Sequence, residues 1–512
     1  MSENNDPKRE LSLAEKRELL AKMLRNRAMQ EKQSFEASPT QQALCFMQAL
    51  DPTSSIYHLQ SCLRIKTTAY PDFYRETFQQ IVNRHAMLRS VFKISEEKSL
   101  VIRGAMDAPF QQIDASGWTD QQMMDEVHRH FNEPFDLENG PLIRFQLFTR
   151  SADDHVLLIL VHHLICDGWS LAMIRKEFRE TCRAAKNQLP PPVFPTPSVE
   201  FWDYVRKYNA LLSGPEGKAM EAYWKDQFKS SIPRLNLRPE VARPQKRNWI
   251  LGESNFVLEK ELYEKLSLLA QSRGITLFAF VVTAYQLMLA HHSNQEEFLI
   301  GFPVAGRSIG IEFEGVVGHF VNMVILRLNL AGDPTFTEIL ARTWTQVCGA
   351  MANQEYPYCR LARFFRSENR DPLEPLTQVM INYLKVKQDD EIVDLNIEEA
   401  STVSDWGNDL SPFPLKSVGE HYDLALRFMD NGKKLYGRLQ YATDLFDEND
   451  AKDFGSSFLN LLQQGVEQPE QRLSQLLKTS IVQSTRKQPR QNGLFSVWWN
   501  KLIRWTGIDS HG

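Results

Sequence analysis

At His162 and His163 two imidazoles stand side by side at the end of the apolar run Val156 to Val161, and Asp167 and Gly168 follow closely. Imidazole gains and loses a proton near neutral pH, so a histidine at the edge of a cavity suits general acid–base work. An uninterrupted apolar run reads as a strand buried on both faces. Continued through the histidines, its alternation sends the two rings to opposite sides. One ring can then address a given cavity, and the other is expected to be held by hydrogen bonds inside its own lobe. A buried Asp167 needs a partner, because an isolated carboxylate in a low-dielectric interior is costly, and its expected task is to fix the histidine loop. Gly168 provides tolerance for a positive φ where the strand turns. Ser170 is placed to cap a helix whose apolar residues Leu171, Ile174, Phe178 and Cys182 step at three to four. A histidine pair alone says little: His291 and His292, in LAHHSNQEEF, end a helical run with no Asp-Gly after them and read as structural or exposed.

The elements around this motif alternate. Helical spacing over Phe73 to His85 and strand-like runs at Ile143 to Phe148 and Val156 to Val161 indicate α/β or α+β organisation. The stretch QLPPPVFPTP, Gln188 to Pro197, has five prolines in ten residues and reads as an irregular connector. The uncharged stretch from Gly274 to Ala290 contains Thr276, Thr283, Tyr285 and Gln286 and reads as a buried helix rather than a membrane span. The 512 residues divide into a helical extension over 1–37, a first lobe over 38–212, a linker over 213–248, a second lobe over 249–478, and a linker with a tryptophan-rich tail over 479–512. In the extension, Ser12 and Glu15 form a capping-box pattern before an amphipathic stretch, which either lies against the first lobe or docks a partner. In the tail, Phe495, Trp498, Trp499, Leu502 and Trp505 share a helical face that packs on its own domain, binds another protein, or lies on a membrane surface. No short internal repeat stands out.

Composition narrows the classes. With 59 basic against 64 acidic residues, nothing points to nucleic acid. The six cysteines lack CxxC spacing, which argues against a zinc site or a disulfide framework and for a reducing compartment. The polar N-terminus argues against secretion, so the protein is expected in the cytoplasm.

HHLICDG, with Trp169 and Ser170 after it, resembles the core motif of condensation domains from nonribosomal peptide synthetases. The pattern HHxxxDG also occurs in relatives of chloramphenicol acetyltransferase and in wax-ester synthases, but further segments narrow the resemblance and appear in the family's order. SPTQQALCFMQALDP (Ser38 to Pro52) resembles the opening SxAQxRLWFLxxLxP, and NRHAMLRSVF (Asn83 to Phe92) resembles RHExLRTxF. EFWDYVRKY is similar to YxDYAxW, VVGHFVNMVILRL (Val316 to Leu328) to IGxFVNTLxLR, NQEYPY (Asn353 to Tyr358) to HQDxPFE, and YATDLFD (Tyr441 to Asp447) to the closing strand region. The likeness covers Ser38 to Leu477. Ala43, Cys45, Tyr358 and Cys359 depart from the family's usual residues and bear on the acceptor side, while the HHxxxDG core is intact. Heterocyclising relatives carry aspartate in place of the histidines, so that subclass is disfavoured.

The resemblance implies two chloramphenicol-acetyltransferase-like lobes in a V, with an active-site tunnel between them. It implies attack by an amine, or by a hydroxyl, on an acyl thioester held on the phosphopantetheine of an acyl or peptidyl carrier protein. By analogy, His163 acts as general base or as hydrogen-bonding positioner of the nucleophile, and His162 is structural. Asp167 is the family's structural aspartate, with Arg307 of the second lobe as expected ion-pair partner and Arg89 as runner-up. The Gly168 amide, at a helix start, is placed to polarise the thioester carbonyl. Trp169, Ser170 and Asn322 are candidates for lining the tunnel, although a strand-end hydrogen-bonding role suits Asn322 equally well. No cofactor or metal is expected on the chain itself. With no carrier GGxS site and no adenylation segment in view, the reading is a free-standing, monomeric acyltransferase forming an amide. Its partners are carrier proteins or a free small-molecule acceptor, with neither nucleic acid nor membrane. Ester formation or chain release onto a hydroxyl is the near alternative, and a non-catalytic recruitment platform the distant one.

Overall fold

The structure is a computed structural model that describes residues 32–93, 99–230, 234–238, 250–365, 376–385, 410–415 and 422–483. These residues form two compact units.

The first unit holds the described residues up to Leu211 and takes in two later segments, Arg307–Phe320 and 410–415. Its strands are β1 (Lys32–Phe35), β2 (His58–Ile65), β3 (Ser90–Phe92), β4 (Leu100–Arg103), β5 (Phe110–Asp114), β6 (Ile143–Ser151) and β7 (Asp154–His162). Its helices are α1 (Pro39–Leu50), α2 (Pro71–Arg84), α3 (Asp120–Asn132), α4 (Gly168–Lys186) and all but the last two residues of α5 (Phe201–Ser213). The main sheet runs Leu410–Pro412, β2, β7, β6, β5, with β7 antiparallel to both neighbours and β5 parallel to β6. Every residue of β7 is buried, as an uninterrupted apolar strand between two neighbours and under helices must be. Phe78 of α2 ties these layers together, stacking on Phe145 of β6 at 3.9 Å and on Phe178 of α4 at 4.6 Å.

In the second unit the strands are β8 (Leu251–Leu258), β9 (Glu297–Val304), β10 (Asn322–Asn329), β11 (Val379–Lys385), β12 (Leu424–Asp430) and β13 (Leu435–Ala442). They form one sheet in the order β10, β9, β11, β12, β13, β8. Around it lie α6 (Pro215–Gln227), α7 (Lys260–Arg273), α8 (Leu277–Ser293), α9 (Phe336–Ala352), α10 (Tyr358–Phe365), α11 (Glu448–Glu467) and α12 (Leu473–Gln483). Helix α8 is buried almost throughout, and its Gln286 is satisfied by Thr343 at 3.1 Å, which is how a core helix tolerates polar residues. No single described helix is long and apolar enough to cross a membrane.

Several boundaries differ from the sequence reading. Lys32–Phe35, assigned to the helical extension, is a strand antiparallel to β4. The segment 213–248, read as a linker, opens with α6, and α12 continues to Gln483, beyond the expected start of the tail at 479. Arg307, placed by sequence in the second lobe, belongs to the first unit. The amphipathic stretch following Ser12 and the face from Phe495 to Trp505 lie outside the described residues.

Candidate active site

The candidate site grows from the end of β7. The strand stops at His162, and His163 begins the turn, so the two rings diverge because the chain leaves the sheet rather than because a strand continues through both. His162 is fully buried. Its Nδ1 accepts from the Leu164 amide at 3.1 Å, which leaves the proton on Nε2, directed at Gln48 Oε1 3.4 Å away. Burial, reinforced by His58, His163 and His319, holds its proton affinity well below that of an ordinary histidine. Both nitrogens of this ring are thus engaged inside the first unit.

His163 is only half-buried. Its backbone amide donates to Tyr57 O at 2.8 Å, and its Nδ1 lies 2.9 Å from Cys166 O. A carbonyl oxygen can only accept, so Nδ1 carries a proton, and in the neutral ring Nε2 presents a lone pair. That is the tautomer a base or an acceptor for a nucleophile's proton requires.

Asp167 caps α4, accepting from the Ser170 amide at 2.8 Å. The cap is therefore Asp167 and not Ser170. The Asp167 carboxylate also takes Arg307 bidentately, Nη1 at 2.8 Å and Nη2 at 3.3 Å, and the Phe320 amide at 3.1 Å. Burial acts to raise the Asp167 pKa, but the Arg307 charge and these hydrogen bonds outweigh it, and the carboxyl rests below its usual range. Arg307 also donates to Ser170 Oγ at 2.9 Å and lies 3.9 Å above the Phe320 ring. The runner-up, Arg89, instead donates to the backbone carbonyls of Val82, Asn83 and Arg103. Ser170 Oγ bonds both Gly318 O and Gly318 N, at 3.0 and 3.1 Å, so Ser170 serves the network rather than an open surface.

Gly168 is the first residue of α4 and does not adopt a positive φ, contrary to the sequence expectation. A Cβ there would meet nothing within 4 Å. What this position offers is an exposed residue at a helix N-terminus, where N–H groups lack acceptors in their own helix. Trp169 is 46% exposed and its indole donates to Glu314 O at 3.1 Å. Asn322 belongs to the second unit, where its amide donates to Gln354 O and Tyr356 O and its oxygen accepts from the Tyr358 amide. His292, of the comparison pair, bonds Ser457 Oγ at 3.1 Å and packs edge-on against Phe454.

Sequence reasoning missed His319. It is buried, its Nδ1 lies 3.1 Å from His163 Nδ1, and the rings meet edge to face. Burial, then the neighbouring His163, pulls its pKa down to about 3. Its only sequence signal was the histidine inside VVGHFVN, a segment read for its asparagine.

A family model described as the condensation domain matches residues 31–487. A linear gramicidin synthase of Brevibacillus parabrevis is 32% identical over 443 residues, covering 85% of this chain and 8% of the relative. Bacitracin synthase 3 of Bacillus licheniformis is 26% identical over 455 residues, 87% of this chain and 7% of the relative. The chain thus spans less than a tenth of the length of these synthetases. Among solved structures, the four-domain nonribosomal peptide synthetase AB3403 matches with TM-score 0.76 at 21% identity, over 88% of this chain and 35% of that one. The condensation domain of the Monacolin K polyketide synthase MokA matches at 0.70 and 18%, over 86% and 99%. The X-domain of teicoplanin biosynthesis, solved in complex with OxyB, matches at 0.73 and 21%, over 87% and 96%. These likenesses establish the fold, and the family match over nearly the whole described chain shows the family: this protein is a member of the condensation-domain family, alongside nonribosomal peptide synthetases.

Proposed function

We propose that the chain transfers an acyl group from the phosphopantetheine thioester of a carrier protein to an amine acceptor, forming an amide. The observation that carries this reading is the half-buried His163, whose Nδ1 is held by Cys166 O so that Nε2 presents its lone pair. The acceptor nitrogen attacks the thioester carbonyl carbon, the C–N bond forms, and the C–S bond breaks with the electron pair leaving on sulfur. His163 Nε2 takes the proton from nitrogen and returns it to the thiolate, while the Gly168 amide faces the oxygen on which charge develops. A thioester is already activated, so alignment and one proton are most of what is required. The cofactor arm belongs to the partner and not to this chain.

A hydroxyl acceptor would use the same groups and give an ester. A second reading, a platform that recruits proteins without catalysis, gains support from the X-domain solved with OxyB. Intact-mass spectrometry of acyl-loaded carrier protein, incubated with this protein and candidate amines or alcohols, separates them. Product from wild type, reduced about 10²- to 10⁴-fold in a folded His163→Ala, is expected for the enzyme. Equal product from both proteins overturns the role of His163, and carrier binding without product from any acceptor favours the platform.

A further inference from the structure

We propose that His319 is a positioning residue for His163: a neutral imidazole whose Nδ1 accepts from His163 Nδ1–H alongside Cys166 O, the two acceptors together keeping the His163 Nε2 lone pair free. This rests on the reading of His163 as the proton-handling group.

Three observations support it. The two Nδ1 atoms are 3.1 Å apart, and between two ring nitrogens at that distance one proton fits and two do not. Cys166 O, 2.9 Å from the same nitrogen of His163, can only accept, so the shared proton resides on His163 and His319 Nδ1 must be bare. Finally, the backbone on either side of His319 is clamped. Gly318 is held by Ser170 Oγ through both its N–H and its carbonyl, and the Phe320 amide is held by Asp167. The aspartate network therefore aims an imidazole at His163 as well as bracing the loop. The charged groups facing His319, Asp167 and Arg307, are paired with each other, and burial keeps His319 neutral through the working pH range.

A structural aromatic would be replaceable by an apolar side chain, whereas an acceptor is not. Asn places its side-chain oxygen where His has Nδ1, so His319→Asn retains the function and His319→Leu removes it. The test is ¹⁵N NMR of the full-length protein with labelled histidine, alongside kinetics. Wild type and His319→Asn are expected to show His163 protonated at Nδ1 alone, and His319→Leu, with Cys166 O as the one remaining acceptor, a measurable fraction of the Nε2–H tautomer with kcat about tenfold lower and KM unchanged. An unchanged His163 tautomer in His319→Leu, or an Asn variant no closer to wild type than Leu, overturns the proposal. The spectra read His319 without any turnover, so they remain decisive if no acceptor is found. A His163→Ala protein that transfers normally would instead overturn the proposed function and leave the tautomer result standing.

Discussion

Two strand–turn–helix junctions, β7 to α4 in the first unit and β13 to α11 in the second, have the same backbone and different chemistry. His162 N bonds Leu142 O at 2.9 Å where Ala442 N bonds Asp423 O at 3.0 Å, and His163 N bonds Tyr57 O at 2.8 Å where Thr443 N bonds Ile250 O at 2.9 Å. The turn closes through Ile165 N to His162 O in one and Leu445 N to Ala442 O in the other. Each helix is capped by an aspartate with almost the same dihedrals, Asp167 at φ −112°, ψ 179° and Asp447 at φ −109°, ψ 178°. The junction is therefore a scaffold of the fold. What sets the first apart is its side chains, with Thr443 and Glu448 standing in the second where His163 and Gly168 stand in the first, together with the segment Arg307–Phe320 that brings an arginine and a third imidazole to its turn. In the second junction the cap Asp447 is exposed and takes the Asn449 and Asp450 amides, while Arg238 pairs with the buried Asp450.

The largest consequence is acid sensitivity concentrated in the first unit. His58, His130, His162 and His319 are buried there, and burial is the leading cause that lowers the proton affinity of each, His58 to about 4 and His319 to about 3. Unfolded, each takes a proton below about pH 6.5, while His58 and His319 stay neutral in the fold at pH 5. Stability is therefore lost as pH falls from about 6.5 toward the folded values, and His58 and His319 alone each remove about 2 kcal/mol by pH 5. Among described residues the second unit has one comparable group, the half-buried His291. Amide exchange corrected for intrinsic rates is expected to show β2 and β7 losing protection between pH 7 and pH 5 while β12 and β13 hold. Equal loss in both sheets would erase this difference between the units.

The cap positions sharpen the comparison next. Asp167→Ala strands the buried Arg307 and is expected to cost about 3–5 kcal/mol, whereas Asp447→Ala removes an exposed cap worth about 1 kcal/mol. Denaturant unfolding of both variants measures the gap. The pH dependence has a definite sign: the folded pKa of Asp167 is depressed, so its contribution is present above the unfolded value near 4 and fades as pH falls below it. Equal costs for the two variants would mean that the Arg307 pair contributes nothing beyond a cap.

Much of this contrast was legible in the sequence, and the rest was hidden for physical reasons. VLLILV, Val156 to Val161, could be read as a buried strand because its apolar residues run without interruption, and the need of Asp167 for a partner follows from burial alone. The cap was misread because Asp167 and Ser170 are equally good cap residues, and the choice depends on where the strand stops. Gly168 was taken for a conformational glycine, but its backbone is ordinary and the space beside its Cα is open. That Arg307 and His319 join the first unit depends on a chain crossing more than a hundred residues downstream, which no local periodicity encodes. The repeat of the junction itself, VHHLICDGWS against YATDLFDEND, shares little beyond its cap aspartate, so only coordinates expose it.

The smallest expected effect isolates one position. Exchanging Gly168 for the residue of the second junction, Gly168→Glu, adds a side chain into open space at a helix N-terminus where a carboxylate is favourable, so stability should change by no more than about 0.5 kcal/mol. Transfer should nevertheless fall about a hundredfold, because a negative charge then stands beside the amide proposed to meet the developing oxyanion. The reciprocal Glu448→Gly should leave transfer unchanged. Single-turnover rates of both variants, with thermal melts as the folding control, test the pair. A Gly168→Glu protein that transfers at the wild-type rate would show that the α4 amide does not face the reacting carbonyl, and the difference between the two junctions would then reduce to their imidazoles.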